Sequence, residues 1–273
     1  MGRDVVCAGA PQVSAPGGRG STAFVVYGRR AVGEALESSG VRVERVWIGD
    51  GVPRDIRKEF AERCRVAGGV EMVVVALQEM GRISGDPRND QGIAASIVLE
   101  GVREVETYCE EQTGRAASKP ARLIALDGIT NPQNVGMIAR SALGAGMSAM
   151  VWPTVGSPWL SGLVVKASAG TVFRLPIVRC GRLVEGLWEL KRAGFALVGL
   201  EMDARAEVLG AHEPRHRAVY VVGSEAEGLS DEVRDLMDGF VRIPMAAGVE
   251  SLNAAVAASL VCFRVGEAGR ADA

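Results

Sequence analysis

The sequence predicts an α/β protein in two parts: a mostly parallel-sheet domain over residues 121–266, preceded by a smaller α/β domain over residues 22–105. Three observations carry that prediction. From Ala121 onward, strand-length apolar runs alternate with segments of helical period, the pattern of a parallel sheet covered on both faces. Ahead of it, residues 106–120 turn polar, with Glu110-Glu-Gln-Thr-Gly-Arg115 and Lys119-Pro120, and read as a linker. The chain has 273 residues, 48% apolar and only 5% aromatic, with 35 glycines. That is enough for aliphatic, closely packed cores without a metal or disulfide staple.

The elements follow in order. Residues 1–21, with the run Ser14-Ala-Pro-Gly-Gly-Arg-Gly-Ser21, read as a flexible tail. Ala23-Phe-Val-Val-Tyr27 opens the first domain, and the spacing of Ala31, Val32, Ala35 and Leu36 predicts a helix over 29–38. A strand over 43–48 and an amphipathic helix over 53–67, started by Pro53, come next. A β-branched strand over 70–76, a short helix over 77–83 and a closing strand over 92–99 complete that domain. In the second domain, strands are predicted at 123–126, 149–152, 196–200, 218–222 and 240–243. Helices are predicted at 134–143, 160–167, 183–193, 230–236 and 251–265, and residues 267–273 form a tail.

Charge and reactive side chains narrow the function classes. The formal net charge is −2, which excludes a strongly cationic nucleic-acid coat but leaves room for a local patch. Basic residues are 31 in all, nearly all arginine, a skew that suits bidentate phosphate recognition and that GC-rich coding would also produce. Cys7, Cys64, Cys109, Cys180 and Cys262 are far apart and odd in number, so no zinc or redox spacing occurs and a reducing, cytoplasmic setting is expected. His212 and His216 read as solvated loop residues rather than metal ligands, since no second cluster joins them. The N-terminus lacks the apolar core of a signal peptide, and no run approaches the length of a membrane span.

In open parallel sheets, ligands bind at the carboxyl ends of strands. Three predicted strand ends carry polar and glycine clusters. The first, Asp127-Gly-Ile-Thr-Asn-Pro-Gln-Asn134, leads into a helix on which Arg140 lies six residues beyond Asn134. At about 100° per residue the two sit roughly 240° apart, so they do not share one helix face. Taken alone, Asn134 as a helix cap and Arg140 as a solvated side chain is the simpler reading. The second, Gly223-Ser-Glu-Ala-Glu-Gly228, sets two glycines around a carboxylate and allows close approach of a ligand to backbone. The third runs from Ile243-Pro-Met245 to Ser251-Leu-Asn253 and caps a helix rich in alanine.

Together, in this order, the clusters resemble the SpoU/TrmH family of RNA ribose 2′-O-methyltransferases. Lys166-Ala-Ser-Ala-Gly-Thr-Val-Phe-Arg-Leu-Pro176 is similar to that family's link between its first two motifs. Tyr27-Gly-Arg-Arg-Ala-Val32 and Gln91-Gly-Ile93 resemble its substrate-binding domain. The resemblance implies an α/β C-terminal domain tied in a trefoil knot, an exception to the rarity of threaded chains. It implies S-adenosylmethionine as cofactor, with Gly223, Gly228, Ile243, Met245 and Leu252 lining its pocket. Arg140, Asn134, Glu225, Ser251 and Asn253 match the catalytic positions, Arg140 being central. A guanidinium stays protonated, with a pKa above about 12. Arg140 is therefore expected to stabilise the developing alkoxide and clamp a phosphate rather than act as a simple base. The family works as homodimers with sites near the interface, and the helix over 251–265 is apolar enough to serve.

The expected substrate is a ribose 2′-hydroxyl in RNA, ribosomal RNA ahead of transfer RNA, with no metal and no membrane involved. Arg29 and Arg30, at a helix start that cations disfavour electrostatically, are the first candidates for RNA contacts, followed by Arg54, Arg57 and Lys58. Two departures from the family pattern are Ser141, where many members have Thr, and the loop Ala246-Ala-Gly-Val-Glu250, whose Glu250 adds a charge beside the pocket. The alternatives are a non-catalytic RNA-binding or assembly factor of the same fold and a nucleotide-binding enzyme on an unknotted sheet. The last would need a phosphate-cradling glycine loop after strand 123–126, and Asp127-Gly-Ile-Thr-Asn131 does not supply one.

Overall fold

The computed structural model describes residues 23–114, 118–202, 206–246 and 251–266. The expected tails over 1–21 and 267–273, and Glu250 with its neighbours 247–249, lie outside the described residues. The chain divides into two compact units, Met1–Glu100 and Gly101–Ala273.

The first unit contains β1 (Ala23–Tyr27), α1 (Arg29–Glu37), β2 (Val41–Gly49), α2 (Arg54–Val66), β3 (Glu71–Val75), α3 (Leu77–Ser84) and β4 (Ile93–Leu99). Its sheet has the order β1-β4-β2-β3, antiparallel except for the β2–β3 pair. Helix α1 buries Ala31, Val32, Ala35 and Leu36, and α2 buries Ile56, Phe60 and Cys64 at intervals of four. Met80 of α3 packs with Val75 and Ala94 in a separate apolar cluster that Val25, Tyr27 and Trp47 flank.

The second unit begins earlier than expected. β5 (Val102–Glu104) pairs in parallel with β8 (Ile177–Cys180), and α4 (Val105–Glu111) occupies the start of the predicted linker. Val105 and Tyr108, three residues apart, bury against the core on that side, while Glu106, Glu110 and Glu111 give the segment its polar composition. Helix α4 is amphipathic with a two-residue apolar face, too little for the periodicity to stand out among its acids.

The remaining elements are β6 (Ala121–Leu126), α5 (Pro132–Gly144), β7 (Ala149–Pro153), α6 (Gly162–Ser168), α7 (Leu183–Arg192) and β9 (Ala196–Leu200). They are followed by β10 (Glu207–Val208), β11 (Arg217–Val222), α8 (Asp231–Arg234), β12 (Gly239–Arg242) and α9 (Ala254–Val265). The sheet order is β10-β12-β9-β11-β6-β7-β8-β5, and every pairing is parallel. β8 and β10, four and two residues long, are additions to the predicted strands. The central strands are mostly apolar, as sheets covered on both faces require: all six residues of β6 are buried, including Arg122, whose Nε donates to Arg215 O at 3.0 Å.

Helices α5, α6 and α9 form one covering layer. Gly136 allows α6 to lie directly on α5, since a Cβ there would stand 2.6 Å from Val164 O and from Ala167 Cβ. On α9's side, the Ser141 and Ser259 hydroxyls share a hydrogen bond of 2.7 Å. His212 differs from its expectation as a solvated loop residue. It is 4% exposed, with Nδ1 2.6 Å from Glu207 Oε2 and Nε2 3.0 Å from the Tyr220 hydroxyl. The polar segment that carries it folds back over β11, and both ring nitrogens gain partners that offset the cost of burial. Among the described residues no helix is long and apolar enough to cross a membrane.

Candidate active site

Because every strand of the larger sheet points the same way, the carboxyl ends of β6, β9, β11 and β12 open onto one edge. A cavity of about 280 Å³ lies there. Its walls combine apolar side chains (Leu200, Val222, Leu229, Ile243, Met245, Leu252) with Glu201, Ser224, Glu225 and Ser251. Gly223 and Gly228 line it as well, so all five expected cofactor-binding residues are brought together.

The turn after β11 is held by reciprocal backbone hydrogen bonds of 3.0 Å between Ser224 and Gly228. Ser224 Oγ also accepts from Glu227 N at 3.1 Å. Gly228 has φ +70°, and nothing lies within 4 Å of the position a Cβ would take, so glycine keeps that lip of the cavity open.

A second cavity, of about 380 Å³, adjoins the first and is lined by Gly128, Ile129, Thr130, Asn131, Asn134 and the turn 224–227. Ser224, Glu225, Glu227 and Ala254 face both. At this shared wall, Glu225 Oε1 accepts from Asn134 Nδ2 and from Asn253 Nδ2, each at 2.7 Å, and from Ala254 N at 3.4 Å. Asn253 Nδ2 also donates to Asn134 Oδ1 at 3.2 Å, while its own Oδ1 caps α9 by accepting from Ala255 N and Val256 N. Three chain segments far apart in sequence are thus tied through one carboxylate oxygen at a helix N-terminus, where a negative charge is stabilised. Oε2 has no hydrogen bond among the described residues.

Asn134 is therefore not a helix cap. Asn131 caps α5, accepting from Gln133 N at 2.9 Å, and Pro132 occupies the first turn. Asn134 is 5% exposed and spends its amide on Glu225 and Asn253. Arg140 is not brought to this cluster. It is exposed on the outward side of α5, lines neither cavity, and makes no hydrogen bond or ion pair among the described residues.

Glu201 and Arg234, joined by an ion pair of 2.5 Å, also line the first cavity and were missed from sequence. The strand-end rule that selected the other clusters points to Glu201 as well, since it directly follows β9. In the first unit, Arg29 and Arg30 are exposed. Arg30 Nε donates to Glu34 at 2.9 Å, and Arg29 N donates to Gln91 Oε1 at 3.1 Å.

Comparison with known proteins decides the family. The profile of the SpoU rRNA Methylase family matches residues 121–263, over half of the chain, and that of the RNA 2′-O ribose methyltransferase substrate-binding domain matches residues 25–101. The chain belongs to the SpoU rRNA methylase family. This SpoU methylase is 33% identical to the 23S rRNA (guanosine-2′-O-)-methyltransferase RlmB of Xanthomonas axonopodis pv. citri, over 87% of this chain and 94% of that one. A Staphylococcus haemolyticus protein named for the TrmH family of tRNA/rRNA methyltransferases is 30% identical over 89% of this chain and 94% of its own. The fold matches that of the SpoU methyltransferase AviRb from Streptomyces viridochromogenes, solved in complex with AdoMet, with TM-score 0.66 and 23% identity over 89% of this chain and 88% of that one. The chain is an α/β RNA 2′-O-methyltransferase with a smaller N-terminal α/β domain.

Proposed function

We propose that this SpoU methylase transfers a methyl group from S-adenosylmethionine to a ribose 2′-hydroxyl of ribosomal RNA, acting as a homodimer with a knotted C-terminal domain. The observation that carries this reading is the pair of adjoining cavities divided by Glu225. The first has apolar walls that suit an adenosine and glycine-lined backbone that a ligand can approach. The second is polar, with the buried Asn134 amide at its wall. S-adenosylmethionine, when bound, supplies a methyl group already activated on a sulfonium.

The protein's share is alignment and charge management. Gly223, Gly228, Ile243, Met245 and Leu252 hold the cofactor, with Ser251 at the pocket's edge. Asn134, Glu225 and Asn253 fix one another, so the open Glu225 oxygen is presented to a ribose hydroxyl in a set orientation. Arg140 stabilises the alkoxide that develops and grips the neighbouring phosphate. Arg29 and Arg30 contact RNA from the N-terminal domain. The names of the RlmB relatives favour ribosomal over transfer RNA.

The dimer reading accounts for the outward position of Arg140. Val256, Leu260 and Phe263 form an exposed apolar stripe on α9, with Met137 of α5 exposed in the same helical layer one turn before Arg140. A second copy seated on this stripe meets Arg140, which fits a site near the subunit interface. The knot fits the path of the chain, which leaves the sheet at β12 beside β9 and returns as α9 to pack on α5, β6 and β11.

Labelled methyl transfer to ribosomal and transfer RNA from cells lacking the gene tests the activity. Transfer to ribosomal RNA at one mapped ribose is the expected result, and tight RNA binding without transfer would leave an assembly factor instead. Sedimentation should show a species near twice 28.7 kDa, with an interface above ~1,200 Å² in total. Leu260→Asp is expected to give monomers that lose activity; a fully active monomer would refute the dimer.

A further inference from the structure

The geometry points to a phosphate-binding track on the outer face of the α5–α6 layer, formed by Lys166 and Arg174 beside Arg140, that holds the RNA backbone flanking the target nucleotide. It rests on the reading of the chain as an RNA methyltransferase and adds substrate-positioning residues to it.

The chain carries 33 acidic side chains, yet none falls between Gly128 and Val184. Buried strands explain part of that run, since β7 and most of β8 need no charge. They do not explain its exposed positions, which include Thr130, Gln133, Met137, Thr154, Val155 and Leu163 but no carboxylate. Every charge in the run is positive: Arg140, Lys166, Arg174, Arg179 and Arg182. Arg179 and Arg182 are neutralised from outside it, by Glu104 and Glu232. Arg140, Lys166 and Arg174 are exposed and make no ion pair among the described residues.

Elsewhere acids are interspersed with the basic residues. Arg30, Arg63, Arg65 and Arg192 pair with Glu34, Glu59, Glu62 and Glu189 on their own helices. Arg29, Arg54 and Arg82 make no ion pair among the described residues, yet their helices also carry Glu34, Asp55 and Glu79. Arg140, Lys166 and Arg174 also share one layer. Gly136 sets α6 against α5, and the 3-10 turn Thr171–Phe173, which immediately precedes Arg174, packs on α5 and α6 too. A surface that keeps cations and omits acids favours a polyanion, and it gains nothing in folding stability from mutual repulsion. The unbroken positive sign favours a phosphodiester backbone over an acidic protein patch, because the neutral exposed neighbours offer no hydrophobic core of the size that a protein interface needs on α6.

The test compares wild type with the double variant Lys166→Gln/Arg174→Gln, using deproteinised total ribosomal RNA from cells lacking the gene as the probe. Both side chains are exposed and unpaired, so melting temperature and S-adenosylmethionine affinity should stay unchanged. The log–log slope of RNA affinity against salt should shrink by roughly 0.7–0.9 for each phosphate no longer neutralised. KM for RNA should rise about fivefold or more, and kcat should stay near wild type. Lys166→Arg should restore its share, and Arg192→Gln on α7 should leave the slope alone. An unchanged slope and KM in the double variant would overturn the track. A reduced slope in a protein whose wild type transfers no methyl group would keep the track and overturn the enzymatic reading, whereas a wild type that binds no RNA would overturn both.

Discussion

Arg140→Ala is expected to lower methyl transfer by about two to three orders of magnitude, the usual cost of removing one preorganised electrostatic group from a reacting oxygen. S-adenosylmethionine affinity should change by no more than a few-fold, because Arg140 lines neither cavity. Stability should move by less than ~0.5 kcal/mol, since the side chain is exposed and has no ion pair among the described residues. Arg140→Lys should recover only part of the rate, because a point charge cannot grip a phosphate and an alkoxide through a planar fork. Calorimetric titration with the cofactor alongside single-turnover transfer separates the two effects. Normal turnover in Arg140→Ala would remove Arg140 from the chemistry.

That prediction depends on a feature already readable in the chain. Six helical residues rotate Arg140 by roughly 240° from Asn134, and the structure keeps the two on different sides of α5, one buried and one exposed. Both matched family positions, yet within a single subunit their side chains do not converge. What no single-chain pattern supplies is a second copy, which the proposed dimer would seat on the apolar stripe of α9. The strand ends were more legible. β6, β9 and β11 end in apolar residues followed at once by Asp127, Glu201 and Gly223, and β12 runs into Ile243-Pro244, so each change marks where backbone leaves the sheet and becomes available to a ligand.

The features that were not legible share a physical cause. Asn131 and Asn134 are both plausible caps by residue type, and only Pro132 between them, at a position suited to the first turn, argues for Asn131. Tertiary contact decides the rest, through Glu225, which arrives from 91 residues away in sequence. His212 reads as solvated because its neighbours are polar, but its partners Glu207 and Tyr220 come from a short edge strand and a strand core that periodicity does not connect. α4 hides among its acids, and β8 follows a proline with only four residues. Such short elements are fixed by what they pack or pair against, β7 and β5 for β8 and the core beside β8 for α4, more than by their own pattern.

Gly223→Ala is expected to have the opposite signature from Arg140→Ala: cofactor binding should fall at least tenfold, with loss of activity following from it. The added Cβ would stand 2.1 Å from both the carbonyl carbon and oxygen of Gly228 and 2.5 Å from Leu229 N. Ordinary contact begins near 3.4 Å, and the atoms in the way are backbone, so no side chain can rotate aside. The turn 224–228 must move as a unit, because its two ends are tied by the Ser224–Gly228 hydrogen bonds. Moving it displaces Ser224, Glu225 and Gly228 from the first cavity and pulls Glu225 Oε1 away from Asn134 and Asn253. Overpacking of this kind costs about 1–3 kcal/mol, which in a domain of this size lowers Tm by roughly 2–4 °C for each kcal/mol. The variant should therefore still be folded at 25 °C, and titration with S-adenosylmethionine below its melting transition reads the site rather than the fold. Unchanged affinity would mean that the turn after β11 does not border the cofactor, and would move the cofactor pocket away from the carboxyl end of that strand.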